Sequence, residues 1–189
     1  AQEQFNFDVT EIEINENGER SFSYWREQSP TRQIFLRSEG KHLLNDISNA
    51  DIFYYSGISA GILDEKQKKR LIKVGTTAKV CAFDFNYRHQ LHYDKNKSQL
   101  LFKEINNCVD INFVSYDDFK ELFNINKPNE IFNILSNNKN LILLRYKHSI
   151  IFKNLDQEIK TITVPHGKAV DTTGAGDAFN GSFLALMNN

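Results

Sequence analysis

Short apolar segments alternate with helix-forming segments through most of this 189-residue chain. The predicted strands are residues 51–55, 79–83, 110–114, 141–144, 149–152 and 159–164. The predicted helices are residues 64–74 and 96–107, one N-capped by Ser115 and one starting near Pro128. Strands separated by helices pair in parallel through right-handed crossovers. The predicted fold class is therefore α/β: a doubly wound, mostly parallel sheet with helices on both faces.

Residues 9–26 show a different pattern, in which apolar and polar residues alternate on either side of Asn17-Gly18. Alternation around such a turn predicts a projecting β-hairpin. Tyr24 and Arg26 are two residues apart on its second strand, so their side chains leave the same face and can contact one ligand. A surface hairpin with one aromatic residue and one solvated cation is the alternative. The open backbone groups of the hairpin also favour pairing with a second copy in a homodimer.

A glycine-rich stretch, Asp-Thr-Thr-Gly-Ala-Gly-Asp-Ala-Phe-Asn-Gly-Ser, occupies residues 171–182 and predicts a turn that opens a helix. Gly174 and Gly176 lack Cβ, so an anion can approach their backbone closely, and the unpaired N–H groups of a helix start would face it. Asp177 falls in the first helical turn, where the helix dipole favours a carboxylate that accepts a hydroxyl proton. The combination suits phosphoryl transfer to an alcohol.

Other interpretations of this stretch fit less well. A dinucleotide-binding fingerprint would need a glycine where Phe179 stands, and a Walker A loop would need Gly-Lys-Ser/Thr. A purely structural helix start with an acidic first turn stays open.

The helix that follows the turn has two predicted faces. Its core positions are Phe179, Phe183 and Leu186 or Met187. Its small residues are Ala178, Gly181, Ser182 and Ala185, and they are expected to let the helix pack close to a sheet.

Polar side chains also follow the predicted strands, where ligands collect in parallel sheets. Arg88 ends the segment Phe83-Asp-Phe-Asn-Tyr-Arg88, and its guanidinium can hold a carboxylate through two parallel hydrogen bonds. A structural ion pair between Arg88 and Asp84 is the alternative. Ser56-Gly57 and Ser115 occupy similar positions after their strands.

Composition excludes several classes of protein. The net charge of −1 gives no sign of a nucleic-acid partner. No apolar run approaches the roughly 20 residues that cross a bilayer, and the first residues do not resemble a signal peptide, so the chain is predicted to be soluble and cytoplasmic. Cys81 and Cys108 lie in or beside apolar stretches and are expected to be reduced. Neither the cysteines nor the histidines show metal-ligand spacing.

Residues 171–185 resemble the C-terminal signature of the PfkB, or ribokinase-like, family of carbohydrate kinases. This resemblance implies that Asp177 is the catalytic base and that the N–H groups of Gly174, Ala175 and Gly176 bind the transferred phosphate. It also places Asp171 and Thr172 near the nucleotide, with ATP as donor and Mg2+ bridging its phosphates. Residues 1–189 then form part of a single kinase domain. Relative to the family, the opening strands and the final helices are missing.

Residues 24–32, Ser56-Gly57-Ile58 and residues 83–88 resemble the branch of the family that phosphorylates the sugar acid 2-keto-3-deoxygluconate at O6. The resemblance implies that Tyr24, Arg26 and Arg88 hold the keto-acid end of the sugar and that the hairpin of residues 9–26 acts as a lid. Two alternatives stay open: another ribokinase-like enzyme such as a fructokinase, and a non-catalytic relic that binds a sugar acid.

Two segments depart from the family pattern. Residues 115–118 are Ser-Tyr-Asp-Asp where the family often has Asn-x-x-Glu, a motif tied to magnesium and phosphate. Residues 145–149 are Arg-Tyr-Lys-His-Ser where the nucleotide loop usually carries glycines. Ser115 and Asn86 are nonetheless expected on the phosphate side of the site.

Overall fold

A computed structural model describes residues 9–14, 20–25, 29–35, 40–135, 140–165 and 172–187. Strands β1 (Val9–Ile14) and β2 (Arg20–Trp25) pair antiparallel, with Thr10 opposite Tyr24. They form a two-stranded sheet of their own, which confirms the strands of the predicted hairpin. The predicted turn at Asn17-Gly18 lies outside the described residues.

The main sheet has six strands that lie side by side in chain order. They are β3 (Ile52–Ser56), β4 (Val80–Asp84), β5 (Ile111–Ser115), β6 (Leu141–Tyr146), β7 (Ser149–Lys153) and β8 (Ile159–Thr163). β3 to β6 are parallel, whereas β7 and β8 are added antiparallel at one edge. The mostly parallel sheet is therefore confirmed, and each predicted strand lies within two residues of the observed one.

The helices are α1 (Gly40–Asn49), α2 (Gly57–Gly61), α3 (Glu65–Gly75), α4 (Lys95–Asn106), α5 (Tyr116–Phe123), α6 (Asn129–Ile134) and α7 (Ala175–Met187). Right-handed crossovers between strands in chain order all place their helices on one face of the sheet. Apolar residues of α3 to α6 accordingly share one core with the sheet, and α7 packs on a second core. Helices thus cover both faces, as predicted.

Aromatic rings dominate the larger core. Phe83 and Phe85, at the end of β4, are fully buried together with Phe102 and Phe119. Adjacent rings in this group lie 5.1–5.6 Å apart between centroids, in tilted or edge-on contacts. Each such ring contributes about 1.5–3 kcal/mol on burial. The carboxyl end of β4 is consequently rigid where it enters the cleft described below.

Helix starts follow the sequence signals with one exception. Asp64 accepts a hydrogen bond from Gln67 N at 2.8 Å and caps α3, and Asp94 caps α4 through Lys97 N at 3.0 Å. Ser115 occupies the N-cap position of α5, but its side chain makes no capping hydrogen bond. The predicted Ser115 cap is therefore correct in position and wrong in its contact, and Ser115 lines the cleft described below.

Helix α7 contacts the sheet through Asn180 and Leu184, which are buried, and through Phe179 and Phe183, which are half-buried. The rings of Phe179 and Phe183 meet Phe113 of β5 edge-on, with centroids 6.2 and 5.7 Å away. The predicted core role of these two phenylalanines is confirmed.

The rest of the predicted α7 pattern is wrong. The small residues Ala178, Gly181, Ser182 and Ala185 are exposed. Leu186 and Met187 are also exposed, at 77% and 52% of their surface. Phe179, Asn180, Phe183 and Leu184 form the side of the helix that faces the sheet, and at 3.6 residues per turn the small residues fall on the opposite side.

Among the described residues, none of the helices is both long and apolar enough to cross a lipid bilayer. Cys81 is buried, Cys108 is half-buried, and both are free thiols, as the sequence predicts.

Close packing of α2 against β4 generates a stability prediction. A Cβ on Gly57 would lie 2.1 Å from the Phe85 carbonyl oxygen and 2.9 Å from the Phe102 ring, whereas a Cβ on Gly181 would meet nothing within 4 Å. We expect Gly57→Ala to lower the free energy of unfolding by about 3 kcal/mol, as in other overpacked cores. The matched Gly181→Ala change should raise it by about 0.5 kcal/mol, because glycine is costly inside a helix. Urea denaturation of both variants measures this, and equal midpoints would contradict the close approach.

Candidate active site

A cleft of about 650 Å3 opens at the carboxyl ends of the parallel strands. It is lined by Ile58, Asp84, Asn86, Arg88, Ser115, Asp118, Arg145 and residues 172–177. This is the edge where ligands bind in open α/β sheets, because loops and helix starts converge there. The structure therefore brings the glycine turn, Asp177, Arg88, Asn86 and Ser115 into one cleft.

The glycine turn has the predicted geometry. Gly174 has a φ of +72°, a left-handed conformation that glycine adopts without strain. The N–H of Ala178 donates to the Gly174 carbonyl at 2.8 Å and starts α7, with Asp177 exposed in the first turn. The N–H of Ala175 donates to the Thr172 carbonyl at 3.2 Å, so this amide closes the turn. The backbone of Gly174 itself is exposed.

Gly176 has a separate steric role. A Cβ at this position would lie 2.6 Å from Nη1 of Arg145 and 3.4 Å from its Cζ. The guanidinium of Arg145 therefore lies directly against the first turn of α7, and a larger residue at position 176 would displace it.

A buried polar network lies beneath the cleft. Asp84 is 2% exposed and accepts hydrogen bonds from Asn180 Nδ2 at 2.8 Å, the Tyr54 hydroxyl at 3.3 Å and the Asn86 N–H at 3.2 Å. Asn180 Nδ2 also contacts the Tyr54 hydroxyl at 3.2 Å. Arg145 Nη2 is 3.6 Å from Asp84 Oδ1 and supplies a compensating charge. Residues from β3, β4, β6 and α7 thus share one carboxylate.

Burial dominates the electrostatics of this network. It raises the pKa of Asp84, although the Arg145 guanidinium and the hydrogen bonds from Asn180, Asn86 and Tyr54 act in the opposite direction. Burial and then the Asp84 charge raise the pKa of Tyr54 to about 12. Tyr54 is consequently a fixed hydrogen-bond donor at neutral pH.

Arg88 pairs with a different carboxylate from the one considered from the sequence. Its Nη1 donates to Asp118 Oδ1 at 3.4 Å and to the Tyr87 carbonyl at 2.8 Å. The alternative of an Arg88–Asp84 ion pair is therefore wrong, because Arg88 pairs with Asp118 and Asp84 contacts Arg145. Arg88 is 37% exposed on its side chain, so one side of its guanidinium still faces the cleft.

Asn86 determines how the chain leaves β4. Its φ of +27° is a left-handed conformation that asparagine tolerates better than most residues. The turn directs the next residues toward α5, where Arg88 meets Asp118. Asn86 itself is half-buried in the cleft wall.

Three predicted site residues are not brought into the cleft by the described structure. Tyr24 belongs to β2, but only its backbone is described. Arg26 and Asp171 lie outside the described residues. Their roles stay predictions.

Arg145 and Asp118 also line the cleft, although neither was predicted as a site residue from the sequence. Both stood in segments that depart from the family pattern, at residues 145–149 and 115–118. Each lies at or just after the carboxyl end of a parallel strand, and this position was the available signal. Ile58, next to Gly57, supplies an apolar wall.

A mostly parallel α/β sheet with a glycine turn and a helix start at the carboxyl ends of its strands is typical of α/β proteins that bind phosphate-containing ligands. Residues 6–188 match the pfkB family of carbohydrate kinases, and the chain belongs to this family. It is 31% identical over 181 residues to 2-dehydro-3-deoxygluconokinase from Haemophilus influenzae, covering 92% of this chain and 58% of the relative. The same enzyme from Escherichia coli is 27% identical over 184 residues, covering 93% and 60%. The chain thus spans less than two thirds of these curated relatives.

Solved structures show the same fold. The crystal structure of fructokinase with bound ATP from Xylella fastidiosa superimposes with a TM-score of 0.71 at 18% identity. The match covers 95% of this chain and 56% of that one. The ribokinase-like fold class is therefore confirmed.

The ion pair at the cleft wall generates a prediction on pH dependence. Burial raises the pKa of Asp118 to about 6, only partly opposed by Arg88. The folded state therefore binds a proton more tightly than the unfolded state, and this carboxyl group makes folding less favourable as the pH rises from 4 to 7. Replacing Asp118 with Asn should remove a pH-dependent change of about 2 kcal/mol in unfolding free energy over that interval.

Denaturation at pH 4, 5, 6 and 7 measures the effect. Asp117→Asn, a change at the exposed neighbouring position on α5, is the matched control and should follow the unmodified protein. Parallel pH profiles for the Asp118→Asn variant and the unmodified protein would show that Asp118 titrates normally.

Proposed function

We propose that this protein is an ATP-dependent sugar kinase that phosphorylates 2-keto-3-deoxygluconate at O6. The observation that carries the proposal is the cleft itself, in which Asp177 and the glycine turn share one space with Arg88. A base, an anion cradle and a carboxylate-binding cation are the three groups that this reaction requires. Membership of the pfkB family supports the same class of reaction.

In the proposed reaction, Asp177 accepts the proton of the O6 hydroxyl. The O6 oxygen then forms a bond to the γ-phosphorus, and the bond from that phosphorus to the bridging oxygen of ATP breaks. ADP leaves with the bonding electron pair, and the proton later passes from Asp177 to solvent. Asp177 is exposed at the helix start, so a sugar hydroxyl can reach it. The N–H groups of Gly174 and Gly176 would stabilise the charge on the moving phosphoryl group, with the Ala175 N–H joining them if it leaves the Thr172 carbonyl.

The nucleotide phosphates would lie along the glycine turn, with Thr172, Asn86 and Ser115 on the same side of the cleft. Magnesium bound with the nucleotide would neutralise part of the phosphate charge. Among the described residues, no group of three acidic, histidine or cysteine side chains is placed to hold a metal ion. Asp118 and Ser115 offer two oxygen donors, which suits an ion that keeps its waters and binds mainly through substrate phosphates.

The acidic end of the sugar would be held by Arg88, together with Tyr24 and Arg26 of the hairpin. The hairpin of residues 9–26 would act as a lid over the site and, by edge pairing, as the contact in a homodimer. A carboxylate distinguishes this substrate from neutral ketoses, so cations in the cleft provide specificity. The similarity to 2-dehydro-3-deoxygluconokinases, such as those of Haemophilus influenzae and Escherichia coli, supports this choice of substrate.

A second candidate is a kinase for a neutral ketose, such as a fructokinase. It is favoured by the contacts of Arg88, whose Nη1 is already engaged by Asp118 and by the Tyr87 carbonyl. If these contacts persist when substrate is bound, Arg88 is structural, and the sugar has no acidic group to hold.

Asp177 is tested by replacement with Asn in the full-length protein. We expect kcat to fall at least about a hundredfold with KM almost unchanged, because a general base acts in the transition state. Asp156→Asn, at an exposed position in the turn between β7 and β8, is the control and should have normal kinetics. Turnover within a few fold of normal would remove the assignment of the base.

Specificity is tested by Arg88→Ala with a panel of acidic and neutral sugars. We expect KM for 2-keto-3-deoxygluconate to rise about tenfold to a hundredfold, because a charge-assisted hydrogen bond of about 1–3 kcal/mol is lost. Fructose kinetics should not change. Lys120→Ala, at an exposed position on α5, controls for the loss of one positive charge. Faster phosphorylation of fructose by the unmodified protein would favour the second candidate.

A further inference from the structure

Arg145 lies at a position from which its guanidinium can contact a phosphoryl group bound at the glycine turn. It is near the carboxyl end of β6, in register with Ser115 of β5 on one side and Ile150 of β7 on the other. Its guanidinium reaches over the sheet edge to the first turn of α7, where Nη1 would lie 2.6 Å from a Cβ on Gly176. The cation is therefore adjacent to the glycine turn and within the cleft that contains Asp177.

The contact with the buried Asp84 carboxylate does not occupy the hydrogen-bond donors of Arg145. The distance from Arg145 Nη2 to Asp84 Oδ1 is 3.6 Å, longer than a hydrogen bond. Asp84 already accepts hydrogen bonds from Asn180, Tyr54 and the Asn86 N–H. The contact supplies charge balance and holds the guanidinium in orientation, but leaves its donors available.

One of these donors has no acceptor. Nη1 of Arg145 is buried and makes no hydrogen bond within the part of the chain that the structure describes. A buried donor on a charged group is costly without a partner. An anion at the glycine turn would supply one, and the planar guanidinium matches the oxygen atoms of a phosphoryl group.

We propose that Arg145 is a further catalytic residue, whose guanidinium binds the transferring phosphoryl group together with the backbone of the glycine turn. Asp84 orients the side chain but is not itself in contact with the phosphate. This inference rests on the proposed kinase function and adds to it a cation that stabilises the developing charge. The alternative is that Arg145 only neutralises buried Asp84.

Binding of inorganic tripolyphosphate with magnesium, measured by calorimetry on the full-length protein, tests the phosphate contact without any sugar. We expect Arg145→Met to weaken binding at least about tenfold and Arg145→Lys to weaken it less, because lysine keeps the charge but loses the planar fork. Lys120→Met, which removes an exposed cation outside the cleft, should bind normally. Equal affinities of the unmodified protein and Arg145→Met, or no binding by the unmodified protein, would overturn the inference.

Turnover adds a second readout. We expect Arg145→Met to lower kcat by about 100-fold to 1000-fold with a much smaller change in KM for the sugar, as for loss of a transition-state donor. The single variant leaves the buried Asp84 charge unpaired, which can destabilise the fold. The double variant Asp84→Asn/Arg145→Met removes both charges and therefore controls for this loss of stability. It should still bind tripolyphosphate weakly and turn over slowly. Recovery of either property in the double variant would mean that Arg145 serves only Asp84.

The two proposals fail in different ways. Tripolyphosphate binding that depends on Arg145, in a protein that phosphorylates no sugar on the panel, would reject the proposed sugar kinase function and keep the phosphate contact. Normal sugar phosphorylation by Arg145→Met would reject the catalytic role of Arg145 and keep the proposed sugar kinase function.

Discussion

The buried carboxylate of Asp84 is the interaction on which the geometry of the cleft depends. Its hydrogen bonds reach Tyr54 on β3 and Asn180 on α7, and its charge is balanced by Arg145 on β6. A buried ion is tolerated only when its partners remain in place, and the loss of one partner from such a group costs several kcal/mol. The position of α7 over the sheet is therefore tied to that of β4. Asn180 lies about one helical turn after Asp177, so the same contact fixes the height of the proposed base above the sheet edge.

A second constraint shapes the chain as it leaves β4. The Phe85 carbonyl approaches Gly57 too closely for any other residue at that position, and the Gly57 carbonyl contacts Nε2 of His92 at 3.0 Å. Burial lowers the pKa of His92, and the hydrogen bond with the Gly57 carbonyl acts in the opposite direction. His92 also stacks on Tyr87 with centroids 5.5 Å apart. The segment between β4 and α4 is thus held at both ends, which keeps Arg88 directed toward α5.

The sequence predicted most of the fold because its signals were local. Apolar segments bounded by caps such as Asp64 define strands and helices one at a time, and their alternation implies a parallel sheet. Helices α1 and α2 were not predicted, since α2 has only five residues and is held by its contact with β4. The small residues of α7 were wrongly expected to face the sheet for a related reason. Small residues can indicate close packing, but which face is buried depends on Asn180 finding Asp84, a partner 96 positions away.

The contrast between local signals and long-range contacts also explains which residues of the cleft could be predicted from the sequence. Asp177 and the glycine turn form a contiguous motif, whereas Arg145 and Asp118 act through partners that only the fold brings close. Each cleft arginine faces a carboxylate, with Arg88 beside Asp118 and Arg145 beside Asp84. Long-range attraction of a polyanion is weak in a chain whose net charge is −1. Anion recognition must then come from donors held at fixed positions, because a ligand gains only from hydrogen bonds that the internal carboxylates leave unused. Selectivity for a phosphate or a sugar acid would therefore depend on the rigidity of the Asp84 network rather than on the number of cations in the cleft.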